Sequence, residues 1–332
     1  RDVTGVQTCA LPIWNIHQEE FFQNDVVDQL KIRASYGSVG NRPSSLYPQY
    51  DLYAVSAGNS YNGESGALIS QIGNKDLTWE KSYTAGVGVD LSLYQRVRLT
   101  LDYYDKNTSD LLYQVPVPGV TGVTRVWRNI GAVRNKGFEA ILGVDIISNK
   151  DLVWTVDANI GLNRNKVTEL YGERDPQTGE VAPIILGDGI GIAGSANRIL
   201  REGADADTWY IPEWAGVNPQ TGAPQWYRTV KNESGEEVRE ITEKYAQANQ
   251  VEMGAYTPKF FGGFSTTLTY KQFDANMVFG YSVGGKIYNY TRAEYDSDGA
   301  YSDRNQMRLM PSWNRWEKPG DIATHPVASY NN

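Results

Sequence analysis

The chain has 332 residues, of which 12% are aromatic and 33 are glycine, and a formal net charge of -8 at pH 7. Its acidic and basic residues are interspersed, so there is no basic stripe to neutralise phosphates, and nucleic acid is excluded as a partner. One cysteine, Cys9, rules out an internal disulfide, and two distant histidines, His17 and His325, rule out most zinc sites; no metal and no cofactor is expected.

The first 13 residues, RDVTGVQTCALPI, resemble translated read-through of a sequencing adapter. They are set aside as a non-native tail, leaving 14–332 as the region that carries the fold. Beyond it, no stretch approaches the ~18 consecutive apolar residues of a membrane-spanning helix, and the mean hydropathy is -0.48. That value does not exclude a membrane barrel, whose strands turn only every second residue toward lipid.

Period-two alternation recurs along the chain, with β-branched and aromatic residues as the apolar member. Leu30, Ile32, Ala34 and Tyr36 mark a first strand. Over 83–93, Tyr83, Ala85, Val87, Val89, Leu91 and Leu93 alternate with Thr84, Gly86, Gly88, Asp90 and Ser92. A turn at Tyr94 and Gln95 leads into Val97, Leu99, Leu101 and Tyr103, set against Arg98, Thr100, Asp102 and Tyr104, which makes a hairpin. A second hairpin sets Phe138, Ala140, Leu142, Val144 and Ile146 before a polar turn at Ser148 to Asp151, and Trp154, Val156, Ala158, Ile160 and Leu162 after it. A third has Phe264, Thr266, Leu268 and Tyr270, a turn at Lys271 and Gln272, then Phe273, Ala275, Met277 and Phe279.

The hairpins are separated by long polar connections at 109–133, 168–207 and 285–325. Connections of that length are uncommon in compact domains. Short turns alternating with long loops on strands of roughly ten residues are the pattern of an outer-membrane barrel, short on the periplasmic side and long outside. Trp79, Tyr83, Tyr94, Tyr103, Trp154 and Tyr270, near strand ends, suit its two aromatic girdles. On pattern alone a secreted β-sandwich or propeller, carrying a glycan-binding or glycoside-hydrolase site, remains open, because its inward faces alternate in the same way. Within the barrel reading, Val87, Leu101, Leu142 and Val156 face lipid, and Gly88, Asp102, Gly143 and Asp157 face a wet lumen.

Seven strings, in order, carry a family resemblance: LKIRASYGSVGN (30–41), GNKDLTWEKS (73–82), LDYYDKNTSDLL (101–112), NIGAVRNKGFE (129–139), WTVDANIGLNRNKV (154–167), AGVNPQTGAPQWY (215–227) and PKFFGGFSTTLTYKQFD (258–274). They resemble the SusC/RagA-type TonB-linked outer-membrane transporters of Bacteroidota, and the similarity runs from about Phe21 to the end. The resemblance implies a fold class that is all-β: antiparallel strands forming part of a large transmembrane outer-membrane β-barrel with long extracellular loops. It further implies residence in the cell outer membrane against lipid, uptake of oligosaccharides or peptides, energy from TonB, and a SusD-like lipoprotein partner. It also implies that 14–332 is a partial barrel, truncated at both ends and without the plug. A siderophore or cobalamin receptor of the wider TonB-linked class is the alternative.

Chemistry-bearing motifs are weak. GYSVG (280–284) fits G-x-S-x-G, with His325 downstream, but a nucleophile elbow needs a strand entering a helix, and no helical pattern follows. GIGIAG (189–194) sits in a glycine-rich loop without a βαβ unit. DPQTG (175–179) and NPQTG (218–222) read as two copies of one turn. No enzyme is expected. Trp127, Trp209, Tyr210, Trp214 and Trp226 lie in or beside the long connections, and their flat faces suit stacking on cargo or contact with a lipoprotein, against the plain alternative of loop packing.

Overall fold

The computed structural model describes residues 8–22, 24–43, 47–190, 196–301 and 303–329. Strands dominate and no described helix is long and apolar enough to cross a membrane, which says nothing about crossing by strands. Two compact units can be separated: the first comprises 1–183, 201–206 and 258–284, and the second 184–200, 207–257 and 285–332.

The first unit is a wall. Its strands are β1 (Thr8–Ala10), β2 (Ile13–Asn15) and β3 (Val27–Asn41); the hairpin β4 (Leu52–Tyr61) and β5 (Glu64–Gln71); β6 (Glu80–Leu93) and β7 (Val97–Ser109); the hairpin β8 (Leu112–Pro116) and β9 (Arg125–Asn129); then β10 (Gly131–Ser148) and β11 (Leu152–Leu170). The second unit contributes β12 (Ile184–Ile190), β13 (Ala196–Leu200), β14 (Thr208–Pro212), β15 (Trp214–Val217), β16 (Pro224–Lys231), β17 (Glu237–Thr242) and β18 (Gln250–Ala255). The wall resumes with β19 (Phe260–Tyr270) and β20 (Phe273–Val283), and a short α1 (Tyr290–Tyr295) follows in the second unit.

Nine strands form one antiparallel sheet in the order β1, β3, β6, β7, β10, β11, β19, β20, with β2 also on β3. All three expected hairpins are present with their turns. Tyr94 and Gln95 both have φ +53°, the left-handed pair that a type I′ turn requires, and Lys271 has φ +52°. Asn149 closes the middle turn by accepting the Asp151 and Leu152 amides on its Oδ1 at 3.1 and 2.9 Å. Of the 13 residues set aside as foreign in the sequence reading, Thr8–Ala10 and Ile13 lie in strands on the free edge of β3, with Cys9 opposite Gly37 and Ile13 opposite Arg33. An unpaired edge offers hydrogen bonds to any extended chain tethered beside it, whatever its origin.

Register lines up the faces. Directly paired residues share a face, so Ala34, Val87, Tyr103, Phe138 and Leu162 form one row across five strands, and Ile32, Val89, Leu101, Ala140 and Ile160 the next. Leu30, Leu91, Leu99, Leu142, Ala158, Phe264 and Phe279 make the third. Val97, Val144 and Val156 lie in the fourth, and Trp154 and Leu268 in the fifth. Five rows are separated by four steps of roughly 6.7 Å along the strands, which at a tilt of ~40° is about 20 Å of rise, and side-chain ends extend this toward the ~25 Å apolar band of a membrane barrel.

This band is not covered by protein. Among the described residues each wall strand packs mainly on its hydrogen-bonded neighbours, with the 3-10 turn Ile16–Gln18 beside β3, and Val87 (53%), Leu142 (38%), Phe279 (57%) and Met277 (58%) are substantially exposed. A sandwich would bury such a face under a second sheet. The buried apolar residues of the first unit, including Ile130, Ala132, Val167, Leu170 and Val181, gather instead where the long connections leave the wall.

Those connections are not featureless loops. The segment 109–133 holds the β8–β9 hairpin, 168–207 holds β12 and β13, and 285–325 holds α1. The sequence reading took them as loops because strands of five to seven residues are too short to show a clear period. In the second unit β12, β13, β14 and β18 make a four-stranded sheet, and β15, β16 and β17 a three-stranded one. Its core is Leu186, Ala196, Ile199, Leu200 and Trp209.

Candidate functional site: the polar face and the elements beyond it

On the opposite face of the wall, polar side chains form a connected array. Arg33 reaches across two strands, donating from Nε and Nη2 to Asp90 at 3.0 Å each and from Nη2 to Asp102 at 3.1 Å. Lys31 completes the cluster at 2.8 Å from Asp90, and Thr100 donates to the same carboxylate at 3.2 Å. Arg98 makes a two-pronged bond to Asp145 at 2.8 and 3.0 Å.

Glycines make this possible. A Cβ at Gly88 would lie 2.3 Å from Asp102 Oδ1 and 2.8 Å from Arg33 Nη2, and one at Gly143 would lie 3.0 Å from Asp157 Oδ1 and 3.2 Å from Arg98 Nη2. The small residue in one strand is therefore the space that the guanidinium of the next occupies. Nearer the long connections the face continues with neutral groups: Tyr104, Asn163, Asn135 and Asn165 are linked by hydrogen bonds of 3.0 to 3.4 Å.

At the base of the β8–β9 hairpin lies a cavity of about 540 Å³, with Asn74, Asp76, Arg128, Asn129 and Tyr171 among its lining residues. Arg128 bonds the Tyr171 hydroxyl at 2.8 Å and lies 5.1 Å from its ring centre. Asn129 holds the floor by donating to the Thr78 and Asp110 carbonyls. These residues were not singled out in the sequence, because they come from three separate places, the connection before β6, strand β9 and the end of β11, and only the fold brings them together. Trp127, which was singled out, is half-buried on the same strand as Arg128, and its carbonyl accepts Asn74 Nδ2 at 3.0 Å.

In the second unit the expected aromatics separate into two roles. Trp209 is only 8% exposed, with its ring 6.3 Å from Tyr256 and 6.1 Å from Tyr288 and its Nε1–H donating to the Lys286 carbonyl at 2.8 Å. Its faces are occupied by packing, which removes it from the set available for stacking. Tyr210, next to it in β14, is half-buried.

Trp214 and Trp226 are direct cross-strand partners, edge to face at 5.8 Å, and Tyr245 continues the ladder at 5.3 Å from Trp226. Trp214 and Tyr245 are 47% and 48% exposed. Tyr245 was missed because nothing in sequence ties it to β16; the 3-10 turn at 245–247 brings it there. Loss of hydration pushes its hydroxyl pKa upward.

DPQTG and NPQTG adopt the same turn. Asp175 accepts the Gln177 and Thr178 amides at 2.7 and 3.0 Å, Asn218 accepts Gln220 at 2.8 Å, and Gly179 and Gly222 take φ of +72° and +71°. The two amides hold the Asp175 carboxyl below its usual range. GYSVG ends β20 at Val283, Gly284 turns with φ +89°, and the next helix begins only at Tyr290, so Ser282 is a strand residue rather than an elbow nucleophile. In GIGIAG, residues 191–194 lie outside those described. His325 is buried and pairs with Asp296 at 3.1 Å. Among the described residues no group of His, Cys, Asp and Glu could hold a metal ion.

Comparison with known proteins agrees with this architecture. Residues 22–317 match the family model described as TonB dependent receptor-like, beta-barrel. The chain is 33% identical over 312 residues to TonB-dependent receptor P3 of Formosa agariphila, covering 91% of this chain and 30% of that protein. It is 27% identical over 301 residues to TonB-dependent receptor SusC of Bacteroides thetaiotaomicron, covering 86% and 28%. Among solved structures, the RagAB peptide transporter superposes with a TM-score of 0.76 at 24% identity, over 97% of this chain and 34% of that one. The chain thus spans about a third of the length of the relatives it matches. An exposed apolar band on one face and a polar array on the other suit the lipid and lumen sides of an outer-membrane barrel, and the chain belongs to the TonB-dependent receptor β-barrel family, in its SusC/RagA branch.

Proposed function

We propose that the parent protein imports oligosaccharides or peptides across the outer membrane, driven by TonB and working with a SusD-like lipoprotein at the outer mouth. The observation that carries this reading is the continuity of one surface chemistry along the wall. In the first unit a charged, hydrogen-bonding lumen face passes into neutral amides and then a polar cavity in the connections; the second unit, by itself, carries an exposed aromatic ladder. Hydroxyl-rich or peptide cargo needs both kinds of contact, flat apolar faces for stacking and a supply of donors and acceptors.

Nothing in this arrangement makes or breaks a bond. The roles we assign are, in the second unit, stacking by Trp214, Trp226 and Tyr245 with Tyr210 as a further contact and, in the first unit, hydrogen bonding by Arg128 and Asp76 with Trp127 as a further contact. The test is growth of a strain carrying the full-length gene on a panel of glycans and peptides as sole nutrient, with and without the adjacent lipoprotein gene. Loss of one nutrient in both the receptor and lipoprotein deletions is expected. Growth defects confined to iron or cobalamin limitation would overturn the reading in favour of a siderophore or cobalamin receptor.

A further inference from the structure

The lipid-facing side of the wall does not stay apolar up to the long connections. One step beyond the row of Val87, Tyr103, Phe138 and Leu162, the register sets Tyr36, Ala85, Asp105, Lys136 and Arg164 side by side. The next row holds Ser38, Tyr83, Asn107, Arg134 and Lys166. Four cations from two adjacent strands thus share a patch with one carboxylate, in a chain whose formal charge is -8. All four are exposed, with the Arg134 and Lys136 side chains at 46% and 45%.

Asp105 does not cancel them. It takes the Arg134 guanidinium on both oxygens and lies 3.6 Å from Lys136, while Arg164 donates one nitrogen to the Asn163 and Lys259 carbonyls, which carry no charge. Within these two rows three positive charges remain in excess, and Lys166 also lines a cavity with Glu180, Glu202 and Arg201. The next exposed carboxylate along β11, Glu169, lies beyond the register shift that closes the regular ladder. Beside the cations a shallow notch of about 490 Å³ is lined by Tyr36, Tyr83, Asp105, Asn107, Arg134 and Thr168.

Depth identifies the occupant. The two basic rows lie one and two row spacings past the last apolar row, roughly 5 and 10 Å along the membrane normal for strands tilted ~40°. The headgroup layer occupies about the first 5 to 7 Å outside the hydrocarbon, so the first basic row lies within it and the second just past its edge, from which long basic side chains reach back. Both strands are interior to the sheet, flanked by β7 and β19, so no further wall strand can cover this face. It lies at the long-connection end, the outward-facing side of the membrane.

We propose that this patch binds the phosphate groups of an outer-leaflet glycolipid, with the acyl chains of the same molecule lying on the apolar band below. Arg164 brings a planar guanidinium whose present partners are only two carbonyls, Lys136 and Lys166 add point charge, Arg134 is held beside them by Asp105, and the Tyr36 and Tyr83 rings sit at interfacial depth. The inference rests on the membrane orientation of the wall and is independent of cargo.

The test uses the full-length parent in detergent micelles and native mass spectrometry, with bisphosphorylated lipid A, its dephosphorylated counterpart and inorganic phosphate as probes. Wild type should retain bisphosphorylated lipid A in preference to the dephosphorylated form. The triple variant Lys136→Gln/Arg164→Gln/Lys166→Gln should lower its retention about a hundredfold, and Lys166→Gln alone about fivefold, the loss expected of roughly one charge contact each. The single variant at an exposed position serves if the triple one fails to fold as judged by heat-modifiable gel migration. Equal retention of phosphorylated and dephosphorylated lipid, or unchanged retention in both variants, overturns the proposal. Displacement of the lipid by millimolar inorganic phosphate also overturns it, because it would mean a site for free phosphate rather than for a lipid headgroup.

Discussion

Arginine placed at successive rows of the lipid-facing side of β10 measures depth in the membrane. Leu142 stands in the third of five apolar rows, so it marks the midplane, while Phe138 stands in the first, two rows and about 10 Å of rise nearer the headgroups. Leu142→Arg is expected to cost about 2 to 4 kcal/mol, and Phe138→Arg about 0 to 1 kcal/mol beyond its lost packing, because its guanidinium can reach the interface. Ala140→Arg and Val144→Arg should fall between. The assay is denaturant-dependent refolding of the full-length parent into bilayers, where each 1.4 kcal/mol is a tenfold change in the folded ratio. Arginine at Ile141, one residue away on the lumen face, is the control and should cost much less. A cost that does not vary from Phe138 to Leu142, or one as large at Ile141, would refute the assignment of faces, because a dry protein core penalises charge without regard to membrane depth.

Other consequences follow from single groups. Gly88→Leu puts side-chain atoms where the Arg33 and Asp102 groups meet, so it should separate them and alter ion or cargo passage; an unchanged uptake rate in cells with normal surface levels would count against a lumenal role for the array. Trp209→Ala should destabilise the second unit by about 3 to 5 kcal/mol in thermal melts of the parent, whereas Trp214→Ala should leave melting unchanged and weaken cargo retention. Labelling of cysteines should be lipid-side at Leu101 and Val156 and aqueous at Asp102 and Asp157; protection of the first pair from both kinds of probe would mean a protein core there. The Glu202 carboxyl is held below its usual range by Arg174 and by the Leu170 amide. A depressed folded-state pKa means that this contact stabilises at neutral pH and loses its effect as pH falls through the depressed value. The protection of the Leu170 amide, its exchange rate relative to that of an unstructured peptide at the same pH, should therefore fall in acid, and Glu202→Gln should abolish that pH dependence.

The wall was legible in the sequence because alternation is a local property. A residue's face follows from its parity, so Val87, Leu101, Leu142 and Val156 could be assigned to one side and Gly88, Asp102, Gly143 and Asp157 to the other without knowing any pairing. Turn chemistry was equally local: Asp175 and Asn218 close their loops with atoms two and three residues away. What the sequence could not supply was register. Arg33 and Asp90 are 57 residues apart and Arg33 and Asp102 are 69 apart, and only the pairing of β3 with β6 and β7 makes them one cluster. The same holds for the basic rows at Arg134, Lys136, Arg164 and Lys166, scattered in sequence and contiguous only across β10 and β11. Burial was the other missing quantity. Trp209 and Trp214 read alike as aromatics beside a long connection, yet tertiary packing closes one into a core and leaves the other half open. Strand pattern fixes which way a side chain points, but what it meets there depends on neighbours that only the folded chain brings within reach.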